Sequence, residues 1–594
     1  MIAKRISALL IATIMMLGFT ACGGKKLPEL EQNDCWIVAY TRFPSDEYST
    51  YLAQSVHFAV TTNSGKSFTP LYHNYGKLYS KCRFSEENGI ISTGIKGIEL
   101  YKSGDTFIIT AKETKRLKDT GVDMETNMFV RWTTEDFMSF TEPELTEKRT
   151  QGLRYDTEST KPDASSLDYA TADIAALPIS RELADKLLEQ NKTVEFESLE
   201  LPDKVTVGSL EELKEVTASV KYTDGSVHEK HIEWNTDGID FDKDGKYTLT
   251  GEVVVRRFEF PVEDHPWADP VITYYNGKYY YIATDDANGN TNFEVREAST
   301  PEELFTDKAR RSVILSADDS IFSGTFWAPE FHVTGGQMRI FCALSVSGFD
   351  PQCYIMSLND GGDMLNPDDW SSPRRCMTSD GRYINDNPLG DGKSGITLDM
   401  TYFEAGSKSY VVWSYRTWAG TDSGSMLMIA EVDPSMPWRL KSDPQLLTRP
   451  YYAWEHIDVT DNNEGPNAIV TDDKVYLSYS GGSARLDTYA VGMLIANVGD
   501  DLTDVSNWTD TMAPWLASNF VEGEYGCGHN AFFVDEYGDT YITYHGHSSK
   551  QSSIAPGIRR VHFRADGSPI LFMTDEQDFP ESKQNVKISV TVKH

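Results

Sequence analysis

The sequence is short of positive charge. Lys and Arg number 55 against 90 Asp and Glu, which gives a formal net charge of −35 at pH 7. Nucleic acids and anionic membrane surfaces attract basic proteins. The charge balance therefore argues against either as a partner, although acidity alone identifies no ligand.

Paired cysteines and phosphate-binding motifs are also missing. The seven cysteines are scattered without a C-x-x-C pair, so a zinc site is not indicated. Their spacing leaves open whether Cys342 and Cys353 form a disulfide. The stretch "DGKSG" (391–395) lacks the upstream glycines of a phosphate loop and indicates an ordinary loop. "YHGH" (544–547) places two His residues at alternate positions, which indicates a solvated strand edge rather than a metal site.

Long apolar runs are confined to the N-terminus. Lys4 and Arg5 precede such a run, and small residues follow it before Cys22, which is the order of a secretory signal peptide. "FTAC" resembles a bacterial lipobox, which implies a lipidated Cys22; a plain secretory or uncleaved signal is the alternative. We expect a signal peptide over 1–21, a linker over 22–34, and membrane contact only through the anchor. The protein would then lie in the cell envelope, facing the periplasm or the cell surface.

Five later segments repeat one pattern: an acid or His, an apolar strand, a polar turn, and a strand rich in Tyr or Ile. The intervals between the segments are 61, 69, 65 and 65 residues, and the segments start at Asp269, Glu330, Asp399, Glu464 and His529. A fixed period of paired strands is typical of radial repeats and predicts a five-bladed β-propeller over 263–580. The first strand of each blade lines the central channel. We therefore expect the five starting residues to occupy the same position in every blade. They should then converge at one end of the channel, where the acids form a cluster of carboxylates.

The five segments also resemble a known family. "WADPVI", "WAPEFH", "TLDMTYF", "NEGPNAIV" and "GCGHNAFF" are similar to the blade-entry motifs of glycoside hydrolase family 43, over roughly 265–575. The resemblance implies an inverting enzyme acting on glycans that contain arabinose, xylose or galactose. It implies Asp269 as the general base, Glu464 as the general acid, and Asp399 as the residue that orients the acid.

Inversion requires these residue types. One ionised carboxylate activates water, and a protonated acid on the other face of the sugar protonates the leaving group, with roughly 6.5–9.5 Å between them. Asp269 should stay ionised in a polar, hydrogen-bonded mouth. Glu464 must hold its proton near neutral pH, which burial and the charge of Asp399 favour.

The resemblance extends to weaker sites. Trp327 and Trp418 are expected to stack on sugar, although Trp327 also suits a core position. Glu330 is expected to contact a substrate hydroxyl, with a structural turn acid as the alternative. His529 matches a position that helps to hold calcium in several members, although a neutral packed His also fits. Cys527 replaces the family's Pro there, which weakens the metal inference; otherwise no cofactor is expected.

The first half of the chain predicts smaller β units, so the whole chain is expected to be all-β. Residues 200–262 show short alternating strands and resemble bacterial immunoglobulin-like β-sandwiches. Residues 151–199 indicate a connecting segment with one short helix. Residues 35–150 indicate a degenerate propeller-like β region, in which Lys96 stands where the first blade has Asp269.

The function that these patterns favour is removal of α-L-arabinofuranosyl units from a glycan by a monomeric enzyme. A β-xylosidase or galactofuranosidase on the same scaffold is the runner-up. A non-catalytic glycan-binding propeller is the alternative of another class, and the intact trio of acids argues against it. A sialidase would need an Arg cluster and a Tyr nucleophile, which the sequence does not place.

Overall fold

A computed structural model describes residues 34–45, 49–85, 87, 89–116, 123–148, 167, 171–456, 460–518, 520–550 and 552–593. Cys22, the predicted signal peptide and all but the last residue of the predicted linker lie outside these ranges. Strands dominate, and the all-β prediction is confirmed. None of the helices within the described ranges has the length and apolar character needed to cross a membrane.

The N-terminal unit contains two four-stranded sheets and a hairpin. Its strands are β1 (Trp36–Arg42), β2 (His57–Thr61), β3 (Thr69–Pro70), β4 (Arg83–Ser85), β5 (Gly89–Ile91), β6 (Thr93–Ser103), β7 (Thr106–Arg116), β8 (Asp123–Thr134), β9 (Glu144–Thr146) and β10 (Thr171–Pro178). Its helices are α1 (Thr50–Ala53) and α2 (Arg181–Gln190). The sheet orders are β10-β1-β2-β3 and β6-β7-β8-β9, and β4 pairs with β5.

This unit extends beyond the predicted boundary at 150. Strand β10 falls in the predicted connecting segment, yet it pairs with β1 from Trp36↔Pro178 onward. The reason is that β1 is almost entirely buried, so both of its edges need hydrogen-bond partners. Helix α2 lies where the short helix was expected, and the side chain of Ser180 caps its N-terminus.

A small β-sandwich follows the N-terminal unit. Its elements are β11 (Phe196–Glu200), β12 (Lys204–Val207), α3 (Leu210–Lys214), β13 (Ala218–Tyr222), β14 (Val227–Lys230), β15 (Ile232–Trp234) and β16 (Gly245–Val253). One sheet has the order β11-β13-β14. The second sheet contains β12, β15 and β16 together with one strand from the C-terminal end of the described chain.

Five consecutive sheets form the second half of the described chain. Their strands are β17 (Trp267–Tyr275), β18 (Lys278–Asp285), β19 (Asn292–Ala298) and β20 (Arg310–Ser316); β21 (Gly324–Thr334), β22 (Gln337–Ser345), β23 (Gln352–Ser357) and β24 (Arg374–Arg375); β25 (Ile396–Ala405), β26 (Lys408–Arg416), β27 (Met426–Val432) and β28 (Gln445–Thr448); β29 (Asn463–Val470), β30 (Lys474–Gly481), β31 (Ala490–Asn497) and β32 (Thr509–Asp510); and β33 (Tyr525–Val534), β34 (Thr540–His547) and β35 (Ile554–Arg560). Each sheet is an antiparallel meander. Short 3₁₀ helices lie between strands at Tyr72–Asn74, Asp286–Asn288, Glu302–Phe305, Pro367–Asp369, Ala453–Glu455, Val505–Asn507 and Glu581–Lys583.

The five sheets close into a ring. The first strands contact one another in the order β17, β21, β25, β29 and β33, and β33 contacts β17 again. First strands that contact in a closed ring are the innermost strands of a propeller around its channel. The predicted five-bladed propeller is therefore confirmed.

Each innermost strand contains a bulge at the same place. The pairing with the second strand skips two residues, and the first of these has a positive φ: Asp269 (53°), Ala328 (42°), Asp399 (53°), Gly465 (54°) and His529 (44°). Positive φ is strained for residues other than Gly, and Asp and His tolerate it better than most. Only three of the five starting residues therefore occupy the bulge position, which corrects the expected alignment. Glu464 lies one residue before the bulge residue of its blade, and Glu330 lies two residues after the bulge residue of its blade.

The N-terminal sheet β6-β7-β8-β9 carries the same bulge. Its pairing skips between Lys96 and Glu99, and Gly97 has φ +64°. Gly97, and not Lys96, is therefore the counterpart of Asp269. Alignment of the two turns by their glycines is off by one residue, because the glycine is the first residue of the turn between β6 and β7 and the second residue of the turn in the first blade. The unit is blade-like, and its bulge offers no carboxylate.

The C-terminus returns to the sandwich. After β36 (His562–Phe563), β37 (Pro569–Ile570) and α4 (Asp575–Asp578), strand β38 (Asn585–Val592) pairs with β12 in parallel and with β16 antiparallel. Exposed and buried residues alternate along β38, which suits a strand covering one face of a core. The sandwich thus extends beyond the predicted range 200–262 at both ends.

The N-terminal unit and the third and fourth blades share one apolar core. Buried side chains of β1, β2 and β7 belong to the same cluster as Phe403, Tyr410, Tyr452 and Trp454. A shared core ties this unit to the two blades that carry Asp399 and Glu464. The six cysteines within the described ranges are all buried, and no two of them form a disulfide.

Candidate active site

Asp269 is held by one partner from its own blade and one from the fifth blade. Its Oδ1 lies 3.0 Å from Nδ1 of His529, and its Oδ2 accepts a hydrogen bond of 2.5 Å from the Thr284 hydroxyl. Thr284 in turn accepts the backbone N–H of Ala328 at 2.8 Å, which ties the first blade to the second. Burial alone would raise the pKa of Asp269, but the charge and hydrogen bond of His529 outweigh it and hold this pKa well below its ordinary value.

His529 carries the positive charge of the cluster. Burial would lower its pKa, but the nearby Asp269 and Asp399 carboxylates raise it to about 10. The ring is therefore protonated near neutral pH and compensates the repulsion expected among the acids. Its backbone N–H donates to the Ser480 hydroxyl at 2.7 Å, which fixes the bulge of the fifth blade against the fourth.

Asp399 lies beside the residue that follows Glu464. Its Oδ2 accepts the Gly465 N–H at 3.2 Å, so it holds the backbone next to Glu464. Burial, assisted by the charges of Glu464 and Asp269 and opposed by His529, raises the pKa of Asp399 to about 7. The three acids that the sequence predicted as a trio are thus brought together by backbone and charge contacts.

Tyr489 and His545 connect the two ends of this cluster. Tyr489 donates a hydrogen bond of 2.9 Å to Oε1 of Glu464. Its ring stacks on His545 with centroids 5.5 Å apart and planes 7° from parallel. Nδ1 of His545 accepts the backbone N–H of Asp269 at 3.2 Å. One stacked pair of rings therefore links Glu464 of the fourth blade to Asp269 of the first.

An aromatic row runs outward from the mouth of the channel. Trp327 precedes the bulge of the second blade, as Glu464 does in the fourth, and contacts Phe349 edge-to-face at 5.9 Å. Phe349 contacts Trp418 at 6.1 Å. Phe349 is 61% exposed and Trp418 49% exposed. We call Trp327, Phe349 and Trp418 the aromatic row; its exposed faces suit stacking on sugar rings.

Glu330 lies apart from this surface. It is 4% exposed, and its Oε2 lies 2.7 Å from Nε2 of His332 and accepts a hydrogen bond from Asn467 at 3.2 Å. These contacts link the second and fourth blades across the ring. The expected contact of Glu330 with a substrate hydroxyl stays a prediction.

The residues around His529 do not fit a calcium site. Calcium takes six to eight oxygen ligands, whereas Nδ1 of His529 contacts Asp269 and its ring is cationic. No group of three or more His, Cys, Asp or Glu side chains within the described ranges is placed to hold a metal ion.

Sequence reasoning missed Thr284, Phe349, Tyr489 and His545. Thr284 and His545 lie on second strands, and Phe349 and Tyr489 lie at or beside loops that do not repeat between blades. His545 had a signal in "YHGH", but the expected solvated edge is wrong, since His545 is 1% exposed and His547 is 4% exposed. The outward-facing Trp418 was found only through the family resemblance.

Carboxylates of the first, third and fourth blades gathered at one end of a five-bladed channel place this molecule in the class of propeller glycoside hydrolases. The chain belongs to glycosyl hydrolases family 43, whose family model matches residues 258–569. The match covers slightly more than half of the chain.

Named relatives agree with this family. An "Extracellular exo-alpha-(1->5)-L-arabinofuranosidase" of Streptomyces avermitilis is 29% identical over 313 residues, covering 51% of this chain and 60% of the relative. "Alpha-L-arabinofuranosidase 43" of Humicola insolens is 28% identical over 315 residues, with the same coverage. The matched region thus spans 60% of the length of these relatives. Among solved structures, an alpha-L-arabinofuranosidase from Lactobacillus brevis has 26% identity and a TM-score of 0.45, covering 53% of this chain and 95% of that one.

Proposed function

We propose that this protein is an inverting α-L-arabinofuranosidase in which Asp269 is the base and Glu464 the acid. The observation that carries the proposal is the paired state of Asp269, which His529 and Thr284 keep ionised at the channel mouth. An ionised carboxylate fixed at both oxygens is suited to accept a proton from water in one orientation. Family membership and relatives named as arabinofuranosidases support the sugar.

The proposed reaction is a single displacement. Asp269 takes one proton from a water molecule while the oxygen of that water attacks the anomeric carbon. Glu464 gives its proton to the departing glycosidic oxygen, so that bond breaks as the new C–O bond forms. Asp269 ends protonated and Glu464 ionised, and proton exchange with solvent restores both.

The surrounding groups hold the two carboxyls in position. The Tyr489 hydroxyl orients Oε1 of Glu464, and Asp399 holds the backbone of Gly465. A hydrogen bond to the neutral carboxyl group of the acid contributes about 0.5–1.5 kcal/mol. Asp399 therefore acts through the position of the acid, in agreement with the orienting role that the resemblance implies.

A panel of nitrophenyl glycosides tests the sugar. The wild-type protein and Asp269→Asn are assayed on α-L-arabinofuranoside, β-D-xyloside and β-D-galactofuranoside. We expect turnover of the arabinofuranoside that Asp269→Asn abolishes. Turnover of only the xyloside or the galactofuranoside would refute the arabinofuranosidase and identify the hydrolysed glycoside as the substrate. Binding of arabino-oligosaccharides without any turnover would make this propeller a glycan-binding module.

We also propose that Cys22 carries a lipid anchor at the cell envelope, on the evidence of the "FTAC" motif alone. Cys22→Ala should move the protein from the detergent phase to the aqueous phase when envelope proteins are partitioned with Triton X-114. An unchanged distribution would contradict the anchor.

A further inference from the structure

The β4–β5 hairpin of the N-terminal unit reaches the loop that carries Trp418. At its tip, Gly89 lies so close to residues 421–422 that a β-carbon on it would come within 2.5 Å of the Asp422 carbonyl oxygen and 3.0 Å of the Thr421 methyl group. The loop over 417–425 joins β26 to β27 in the third blade, and it leaves β26 at the end that pairs with the start of β25, where Asp399 lies. The N-terminal unit therefore touches the rim of the candidate site.

The base of the hairpin is fixed to the segment that connects the third blade to the fourth. The guanidinium of Arg449 lies over the Phe84 ring at 4.1 Å, and the Cys82 N–H donates to the Tyr451 carbonyl at 2.6 Å. Arg449 and Tyr451 belong to the segment that leads into β29 and Glu464. The hairpin thus spans from the entry of the fourth blade to the outer loop of the third.

Continuous contacts lead from the hairpin to the aromatic row. Asp422 accepts two hydrogen bonds from the Arg416 guanidinium, at 3.1 and 2.5 Å. The same guanidinium lies 5.3 Å from the centroid of the Trp418 ring. Trp418 contacts Phe349, which contacts Trp327. The position of Asp422 therefore affects the outermost ring of the row.

We infer that the β4–β5 hairpin is a specificity element that holds the aromatic row in place for a glycan longer than one sugar. The inference rests on the proposed function for its substrate class. Asp269 and Glu464 lie inside the mouth, whereas Phe349 and Trp418 are half-exposed or more at its rim. Sugar units beyond the cleaved one would pass over these rings and stack on them. Residues of the hairpin touch no reacting atom, so Gly89 is a positioning residue.

The test compares Gly89→Ala with Gly97→Ala. Both glycines have nearly the same φ, +65° and +64°, so both variants carry the same backbone strain. A β-carbon at Gly97 meets no atom within 4 Å, whereas one at Gly89 must displace the loop. Gly97→Ala is therefore the matched control.

Gly89→Ala should raise KM for α-1,5-linked arabino-oligosaccharides about threefold to tenfold, because a displaced loop must be ordered again on binding. Its kcat should stay unchanged, as should both constants for nitrophenyl arabinofuranoside. Gly97→Ala should leave all constants unchanged. Adding Gly89→Ala to Trp418→Ala should cause no further loss, since both act on one ring.

Several outcomes would overturn the inference: an unchanged KM in Gly89→Ala, the same change on the aryl glycoside, or the same change in Gly97→Ala. Calorimetric binding of the oligosaccharide in an Asp269→Asn background separates this inference from the proposed function. Weaker binding in the Gly89→Ala variant, together with no turnover by the protein that retains Asp269, would keep the inference and refute the arabinofuranosidase. Absence of oligosaccharide binding would overturn the inference itself.

Discussion

Replacing Gly465 by Ala should disturb Asp269, the proposed base, without contacting it. Gly465 has φ +54°, and a β-carbon there would lie 2.9 Å from Cγ and Cδ2 of His529 and 3.1 Å from Nδ1. Atoms at such distances must move by several tenths of an ångström. The imidazole would therefore be pushed from its present place, 3.0 Å from Oδ1 of Asp269.

The expected magnitudes follow from these distances. An L residue at positive φ costs about 1–2 kcal/mol, and an overpacked site about 1–3 kcal/mol. The melting temperature should therefore fall, while the ring of blades stays intact. Misplacement of a catalytic partner by about 1 Å can cost 10²-fold in rate, so a smaller shift should lower kcat about tenfold.

The assay is kcat/KM against pH on nitrophenyl arabinofuranoside. A weakened His529 contact should raise the pKa of Asp269, so the acidic limb of the profile should move to higher pH. Gly361→Ala is the control, because Gly361 has φ +70° and open space around it. A wild-type rate and profile in Gly465→Ala would refute the argument that His529 positions the base.

Three further predictions concern the cluster. Glu464→Gln should lose most turnover on glycosides with poor leaving groups and much less on activated aryl glycosides, because only the former need the proton; equal losses would remove Glu464 as the acid. Tyr489→Phe should lower kcat about tenfold with little change in KM, since a buried hydrogen bond to Glu464 is lost; an unchanged kcat would show that Tyr489 only packs. For Asp399, burial and neighbouring carboxylates raise the pKa from 3.8 to about 7, so the folded state holds a proton that the unfolded chain releases, and stability falls as pH rises across that window. The Asn side chain of Asp399→Asn cannot ionise. The melting temperature of the variant minus that of the wild type should therefore increase by at least about 2 °C from pH 4 to pH 8. A difference that does not change with pH would contradict the raised pKa.

The blade count and the meeting of the acids could be predicted because both depend on local signals. Turn residues such as Asn276-Gly277 and Gly335-Gly336 fix each hairpin, and the repeat of about 65 residues fixes the ring. Asp269 and Asp399 follow directly from that repeat.

The one-residue offsets could not be predicted in the same way. A bulge adds a residue to one strand only, and the glycine of a two-residue turn can be its first or its second residue, so a repeat of this length cannot distinguish Glu464 from Gly465 or Lys96 from Gly97. The difference between Glu464 and Gly465 matters because the bulge residue has a positive φ and lies against the His529 ring. Only a glycine at this position leaves room for that ring.

Long-range contacts were also beyond the sequence. Strand β38 joins a sheet whose other strands lie over 300 residues earlier. The alternating pattern of β38 predicts a strand but does not indicate that it pairs with β12 and β16. Tyr489 and His545 meet only because the fourth and fifth blades pack together. Such contacts depend on closure of the ring, which no single segment encodes.

The configuration of the first product tests the central claim most directly. If Asp269 activates water on the face opposite Glu464, the released sugar must have the inverted anomeric configuration. Proton NMR of the reaction with an α-L-arabinofuranoside, recorded before mutarotation, should first show the β-anomer. A first signal from the α-anomer, or a glycosyl-enzyme trapped by a fluorosugar, would contradict the account.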